Sequence, residues 1–233
     1  MEISHEIGGA VILAPDPCRA IDFLRQTFSL EDAAENALRI GNFLLKVCPS
    51  DGPMDACRPD DMLLGLRHIA LETDDIREAL SICRAKGLCL QTAEDDGPRF
   101  SGKVYGTGLC YFNILTDFGV TLEITEKHAG SRKGSGRWAD GLGHIGIQTA
   151  DLCKSQAFYE RLGFHQDFLP VENPVEGGVV RCCMVSRDNV TLELYEFKNG
   201  EKTGLQSKAA LSALILPWLP ESIQGPDGER LLK

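Results

Sequence analysis

Apolar and polar residues alternate through several short stretches of this chain, and two of those stretches are near copies of each other. In 67–73 (RHIALET), His68, Ala70 and Glu72 share one face of an extended chain, while Ile69 and Leu71 share the other. In 143–149 (GHIGIQT), His144, Gly146 and Gln148 oppose Ile145 and Ile147 in the same way. Both stretches run into segments of helical period. The first predicts a helix over 74–86, capped by Asp74, with Ile76, Leu80 and Cys83 on one side and Gly87 at its end. The second predicts a helix over 151–162, capped by Asp151 and ended by Gly163. Further strands are expected near 88–92, 108–116 and 119–126, and near 164–170, 178–186 and 189–197. Each copy therefore reads β-α-β-β-β, and each closes on the words V-T-L-E, at 120–123 and 190–193.

A weaker third copy precedes these. IGGAVILAPD matches the opening strand, PDPCRAIDFLRQTF the helix, and ALRIG and NFLLKV the last two strands. Aligning Asp16 with Asp74 puts Ala10 where His68 stands, and Lys46 falls where Glu123 stands. The expected organisation is α+β, with repeated βαβββ modules forming cupped mixed sheets. Its parts are a degenerate module at 1–50, modules at 65–127 and 141–198, and a C-terminal extension at 199–233. Within the extension, SKAALSALIL (207–216) predicts a short helix, and the Pro- and Gly-rich remainder predicts no regular structure. The extension is expected to pack across a sheet or a neighbouring subunit.

Composition narrows the function. A net charge of −10 argues against nucleic acid, which asks for a basic patch. No apolar run approaches the ~18 residues of a membrane span, and MEISHEIGGA lacks a basic leader region. The nine cysteines include no C-x-x-C pair and lie scattered in periodic segments, as expected for reduced thiols in the cytoplasm.

The chemistry lies in the repeat itself. His68, Glu123, His144 and Glu193 occupy matching places in two copies, each on the polar or small-residue face of its strand. Packing alone does not ask for His and Glu, whereas two imidazoles and two carboxylates suit a divalent metal: Zn, Ni, Co or Fe. Glu126 and Glu196 lie three positions further on and so face the other way. His5, His128 and His165 match nothing in the repeat.

A βαβββ unit opening with H-I-A/G-[IL] and closing with V-T-L-E-[IL] resembles the vicinal oxygen chelate superfamily. That group includes glyoxalase I, extradiol dioxygenases, methylmalonyl-CoA epimerase, and bleomycin- and fosfomycin-resistance proteins. The resemblance spans 1–198, strongly in the second and third blocks and loosely in the first. The ligand pattern is most similar to glyoxalase I. His68 and Glu123 match that family's second-unit ligands and His144 and Glu193 its first, so their order is inverted. The resemblance implies a metal-dependent lyase or isomerase that moves a proton beside a carbonyl of a small vicinal-oxygen substrate. A methylglyoxal–thiol hemithioacetal is an example, with glutathione or another thiol as possible co-substrate. Glu123 stands at the position of the family's usual base, and Glu193 is a near-equal candidate.

The opening strands carry Glu72 and Gln148 where glutathione-dependent relatives have an Arg for a carboxylate. Arg67, Arg99, Arg181 and Arg187 are the available substitutes, each otherwise a surface charge. Two other classes stay open. One is an extradiol-type Fe(II) dioxygenase, which needs two His and one Glu, so that the fourth ligand argues against it. The other is a non-catalytic, resistance-type binding protein. The resemblance leaves two assemblies open, a cup within one chain or halves combined across a homodimer, with a homodimer expected.

Overall fold

A computed structural model describes residues 8–52, 54, 63–127, 138–139, 141–175, 178–198 and 209–233. The first unit runs β1 (Gly9–Ala14), α1 (Pro17–Phe28), β2 (Glu31–Ala34), β3 (Ala37–Ile40) and β4 (Phe43–Pro49). The second runs β5 (Gly65–Glu72), α2 (Ile76–Ala85), β6 (Leu90–Gln91), β7 (Arg99–Ser101), β8 (Leu109–Leu115) and β9 (Thr121–Lys127). The third runs β10 (Gly141–Gln148), α3 (Leu152–Arg161), β11 (His165–Gln166), β12 (Val171–Val175), β13 (Gly178–Arg187) and β14 (Val190–Phe197). The C-terminal segment adds β15 (Leu211–Ile215), β16 (Ile223–Gln224) and β17 (Arg230–Leu232). The fold is α+β, built of two mixed, open sheets of βαβββ units.

The second and third units share a ten-stranded sheet. Its centre is the antiparallel pair β5–β10, flanked by β9 parallel to β5 and by β14 parallel to β10. β8 and β13 continue outward, with β6 and β7 on β8 and with β11 and β12 on β13. The first unit and the C-terminal strands make a seven-stranded sheet on the same plan. β1 pairs antiparallel with β15 and parallel with β4, and β15 pairs parallel with β17.

Residues 211–215 are thus a strand, not part of the helix expected over 207–216; Ser207 and Lys208 lie outside the described residues. The physical reason is the open edge of β1. Its backbone N–H and C=O groups need partners on the side away from β4, and five residues of LSALI supply them. That gain overrides a helical propensity too short to nucleate alone. The Pro- and Gly-rich tail likewise contains the short strands β16 and β17.

The helices explain part of the repeat. Helix N-termini leave backbone N–H groups unpaired. In α2 the Asp75 carboxylate accepts from Arg77 N and Glu78 N, so Asp75 rather than Asp74 is the cap. Glu126 on β9 accepts from Ile76 N, the first helical residue. The third unit repeats this: Asp151 accepts from Lys154 N, and Glu196 on β14 accepts from Leu152 N. Hence V-T-L-E is followed, three residues on, by a second Glu directed to the opposite face. In the first unit Asp16 caps α1, but its first helical residue is Pro17, which has no N–H to satisfy. Pro49 stands where Glu126 and Glu196 stand elsewhere.

With the cap at Asp75, each module's ligand position lies seven residues before its capping Asp, so Gly9, not Ala10, corresponds to His68. Register agrees: Val11 faces Lys46 as Ala70 faces Glu123. On the C-terminal strands, the His144 and Glu193 positions become Ala213 and Leu232. The first sheet thus holds Gly9, Lys46, Ala213 and Leu232 at the four places and offers no donor set for a metal.

One continuous core joins the two sheets. Ala10 and Ile12 of β1, Ile69 and Leu71 of β5, and Ile145 and Ile147 of β10 all belong to it, with the apolar faces of α1, α2 and α3. Their burial directs the alternate residues, His68 and His144 among them, to the other face of the ten-stranded sheet. Among the described residues, no helix is long and apolar enough to cross a membrane.

Candidate metal centre

The four repeat-borne residues meet at the centre of the ten-stranded sheet, within one chain. His68 and His144 stand on the antiparallel neighbours β5 and β10, offset so that His144 faces Ala70 and His68 faces Gly146. Glu123 sits on β9 opposite Ala70, and Glu193 on β14 opposite Gly146. His68 Nε2 lies 3.1 Å from His144 Nε2. Glu193 Oε2 lies 3.4 Å from His68 Nε2 and 3.5 Å from His144 Nε2. Glu123 Oε1 lies 3.4 Å from His144 Nε2. The donors of His68, Glu123 and His144 all fall within 4.8 Å of one another, and Glu193 stands outside that trio while reaching both imidazoles.

These separations fit a cation. Bonds of about 2.1 Å put neighbouring donors roughly 3.0–3.4 Å apart in octahedral or tetrahedral arrangements. The residues are also shielded, with His144 only 2% exposed and His68 and Glu123 each 7% exposed. Burial lowers the proton affinity of His144, but hydrogen bonding to Glu123 and Glu193 and their negative charges outweigh it, raising its pKa to about 9. Burial also disfavours the Glu193 carboxylate, yet His144 and His68 hold it well below the usual carboxylate range. The two carboxylates that raise His144 would equally favour a divalent ion, whose binding competes with that proton.

Two neighbours support His68. The Tyr195 ring stacks on it, with centroids 6.0 Å apart and planes 28° apart. Gly146 makes room: a Cβ there would lie 2.0 Å from His68 Cε1. Sequence periodicity puts Tyr195 on the face of Glu193, two residues on, but its stacking requires β14 and β5 to flank β10. The role of Gly146 depends on the β5–β10 register, which no local pattern predicts.

His68, Glu123 and Glu193 line a cavity of about 400 Å³, and His144 is buried beside them. Arg99 is the one candidate arginine that lines it. Arg67 is 1% exposed and lies on the face of β5 opposite His68, so it is no surface charge. Arg181 turns to Cys153 Sγ, and Arg187 stacks over Trp218 and donates to Leu162 O. Glu72 pairs with Lys127 at 2.6 Å, and Gln148 is fully buried. His165 is exposed, away from the cluster, whereas His5 and His128 lie outside the described residues. Cys182 lines the cavity as a neutral thiol, because burial and the Glu193 charge raise its pKa far above the ordinary value.

No protein-family model and no curated protein sequence matches the chain. Solved structures do. Glyoxalase I from Zea mays aligns with a TM-score of 0.65 at 18% identity, over 97% of this chain and 90% of that one. A variant of the same maize enzyme gives 0.67 at 18% identity, over the same shares of the two chains. A protein assigned as a dioxygenase from Bacillus subtilis gives 0.58 at 12% identity, over 91% of this chain and 69% of that one. At these identities the likeness establishes the fold alone, the one this chain shares with the maize enzyme and the Bacillus protein.

Proposed function

We propose that the chain is a metal-dependent, glyoxalase-like lyase or isomerase, with His68, Glu123, His144 and Glu193 holding one divalent ion. The observation that carries this reading is the convergence of two imidazoles and two carboxylates, 3.1–3.5 Å apart in four pairs, with His68, Glu123 and Glu193 lining a cavity. When bound, the ion would supply a Lewis acid for the vicinal oxygens of a substrate such as a methylglyoxal–thiol hemithioacetal, the thiol being glutathione or another. Glu123 is the base that takes the proton beside the carbonyl, and Glu193 is the alternative. Both carboxylates project from strand positions beside buried imidazoles.

One observation favours a second reading. The trio His68, Glu123 and His144 has the composition of a 2-His-1-carboxylate site, the pattern of non-haem Fe(II) oxygenases. A resistance-type binding cup without catalysis is the remaining outcome.

The test is metal content of protein purified without chelator, beside His144→Ala and Glu193→Ala variants. About one ion per chain, lost in both variants, followed by turnover of a hemithioacetal, supports the lyase. Iron with turnover of a catechol supports the dioxygenase. No metal in wild type, and none taken up on reconstitution, overturns both.

A further inference from the structure

The cavity above the four-residue cluster has two chemically different walls, each from one module. The β6–β8 wall presents Gln91, Arg99, Ser101, Tyr111 and Asn113. The β12–β14 wall presents Val175, Val180, Cys182 and Phe197, and its one amide, Asn173, turns to Cys182 Sγ. Val104 and Leu109 pack with Cys182, Met184 and Tyr195 and make a further part of the lining apolar.

The charges are just as uneven. Glu123, Glu193 and Arg99 are the Asp, Glu, Lys and Arg residues of the lining. A divalent ion is neutralised by the two carboxylates, which leaves the single positive charge of Arg99. The rest of the chain does not supply that charge, since its net value is −10. Arg99 Nε donates to Thr92 O at 3.2 Å, and Arg99 stands opposite Tyr111 in the β7–β8 pair. Among the described residues it makes no ion pair with a carboxylate. A half-buried guanidinium held by a backbone carbonyl keeps its charge for a ligand. The phenol is kept neutral, because burial and the Glu123 charge push Tyr111 up to about 12.

Position adds the last constraint. Arg99 pairs with Tyr111 across β7–β8, and Asn113, two residues along β8, pairs with Glu123. Arg99 is therefore two strands out and two residues along from Glu123, roughly 12 Å of backbone spacing, on the same side of the sheet.

From this asymmetry we infer that the cavity takes a monoanionic vicinal-oxygen substrate whose carboxylate is held by Arg99, with its apolar substituent against Val175, Val180 and Phe197. This rests on the metal reading above and adds a charge and an orientation to it. Arg99 is here a specificity-determining residue that touches the substrate away from the reacting atoms.

Two catechols that differ at one ring substituent test it, with binding to zinc-loaded protein measured by calorimetry and zinc stoichiometry measured alongside. In 3,4-dihydroxybenzoate a benzene ring separates the carboxylate from the vicinal oxygens, and 4-methylcatechol carries a methyl group in its place. Wild type is expected to bind the benzoate at least tenfold more tightly. Arg99→Met should weaken the benzoate roughly ten- to a hundredfold, leave 4-methylcatechol within threefold, and keep the zinc. Arg99→Lys should restore part of the preference, and an unchanged melting curve in both variants guards against misfolding. Equal binding of the two probes, no binding of either to zinc-loaded protein, or an equal loss of both in Arg99→Met would overturn the inference and leave the metal reading standing. Failure of the protein to take up zinc at all removes both.

Discussion

Replacing Gly146 by Ala should abolish tight metal binding while leaving all four donor side chains in the chain. Gly146 is the partner of His68 across β5–β10. A methyl carbon there would lie 2.0 Å from His68 Cε1, 2.3 Å from Nδ1 and 2.4 Å from Nε2. Carbon atoms pack best about 3.5–4.0 Å apart, so the imidazole must retreat by roughly 1.5 Å or swing to another rotamer. Nitrogen–metal bonds are about 2.0–2.1 Å long and do not survive such a displacement. Losing an outer partner of a ligand already costs roughly 10–100-fold in metal affinity, so displacing the ligand itself should cost at least about 100-fold. Folding should change much less. Overpacking costs about 1–3 kcal/mol, and removing a glycine from a strand interior returns about 0.5–1 kcal/mol. The assay is competition with a chromogenic chelator, alongside denaturant unfolding of metal-free protein. Gly141→Ala in the same strand is the control, since a Cβ there meets nothing within 4 Å; its affinity should stay within twofold of wild type. If Gly146→Ala binds metal within threefold of wild type, His68 is not a ligand and the four-donor site is wrong.

Other outcomes follow from the helix caps and the C-terminal strands. Glu196→Ala leaves Leu152 N without its acceptor and should cost about 1 kcal/mol in urea unfolding, with metal content unchanged; Glu126→Ala should do the same at Ile76 N. Tyr159→Phe removes the buried hydroxyl that donates to Glu229 Oε1 at 2.5 Å and should destabilise the fold by roughly 1.5–3 kcal/mol. Burial raises the Glu229 pKa above its ordinary 4.5 despite the hydrogen bond from Tyr159. The folded state therefore binds the extra proton, so this contribution is full below pH 4.5 and fades as pH rises through the raised value. Glu229→Gln should accordingly flatten the fall of stability above pH 4.5, whatever its effect on the absolute level; an unchanged slope in the variant would contradict the sign.

Much of the site was legible because it is written twice. His68 with Glu123 and His144 with Glu193 stand out as donors on strand faces whose other sides are Ile and Leu. Period-two geometry then requires that they face away from the core. The same duplication showed Glu126 and Glu196 facing elsewhere, though not that they cap α2 and α3. What local pattern could not reach was pairing. SKAALSALIL reads as a short helix, and the open edge of β1 made LSALI a strand. Asp74 and Asp75 are equivalent as letters, and only the helix start separates them. Arg99 sits on a strand of three residues, too short for periodicity to detect, and whether it or Arg67 faces the cavity depends on the sheet around it.

By itself, then, the sequence determined the modules, their helices and which four donors lie on the faces turned from the core, because alternation and capping act over a few residues. The tertiary structure alone decided that those donors meet within one chain, that Gly146 clears space for His68, that Arg99 is the cavity's cation, and that the C-terminal strands complete the ligand-free sheet. Each of these depends on which strand edges pair and in what register, and hydrogen bonding between distant segments sets that, not the composition of either segment.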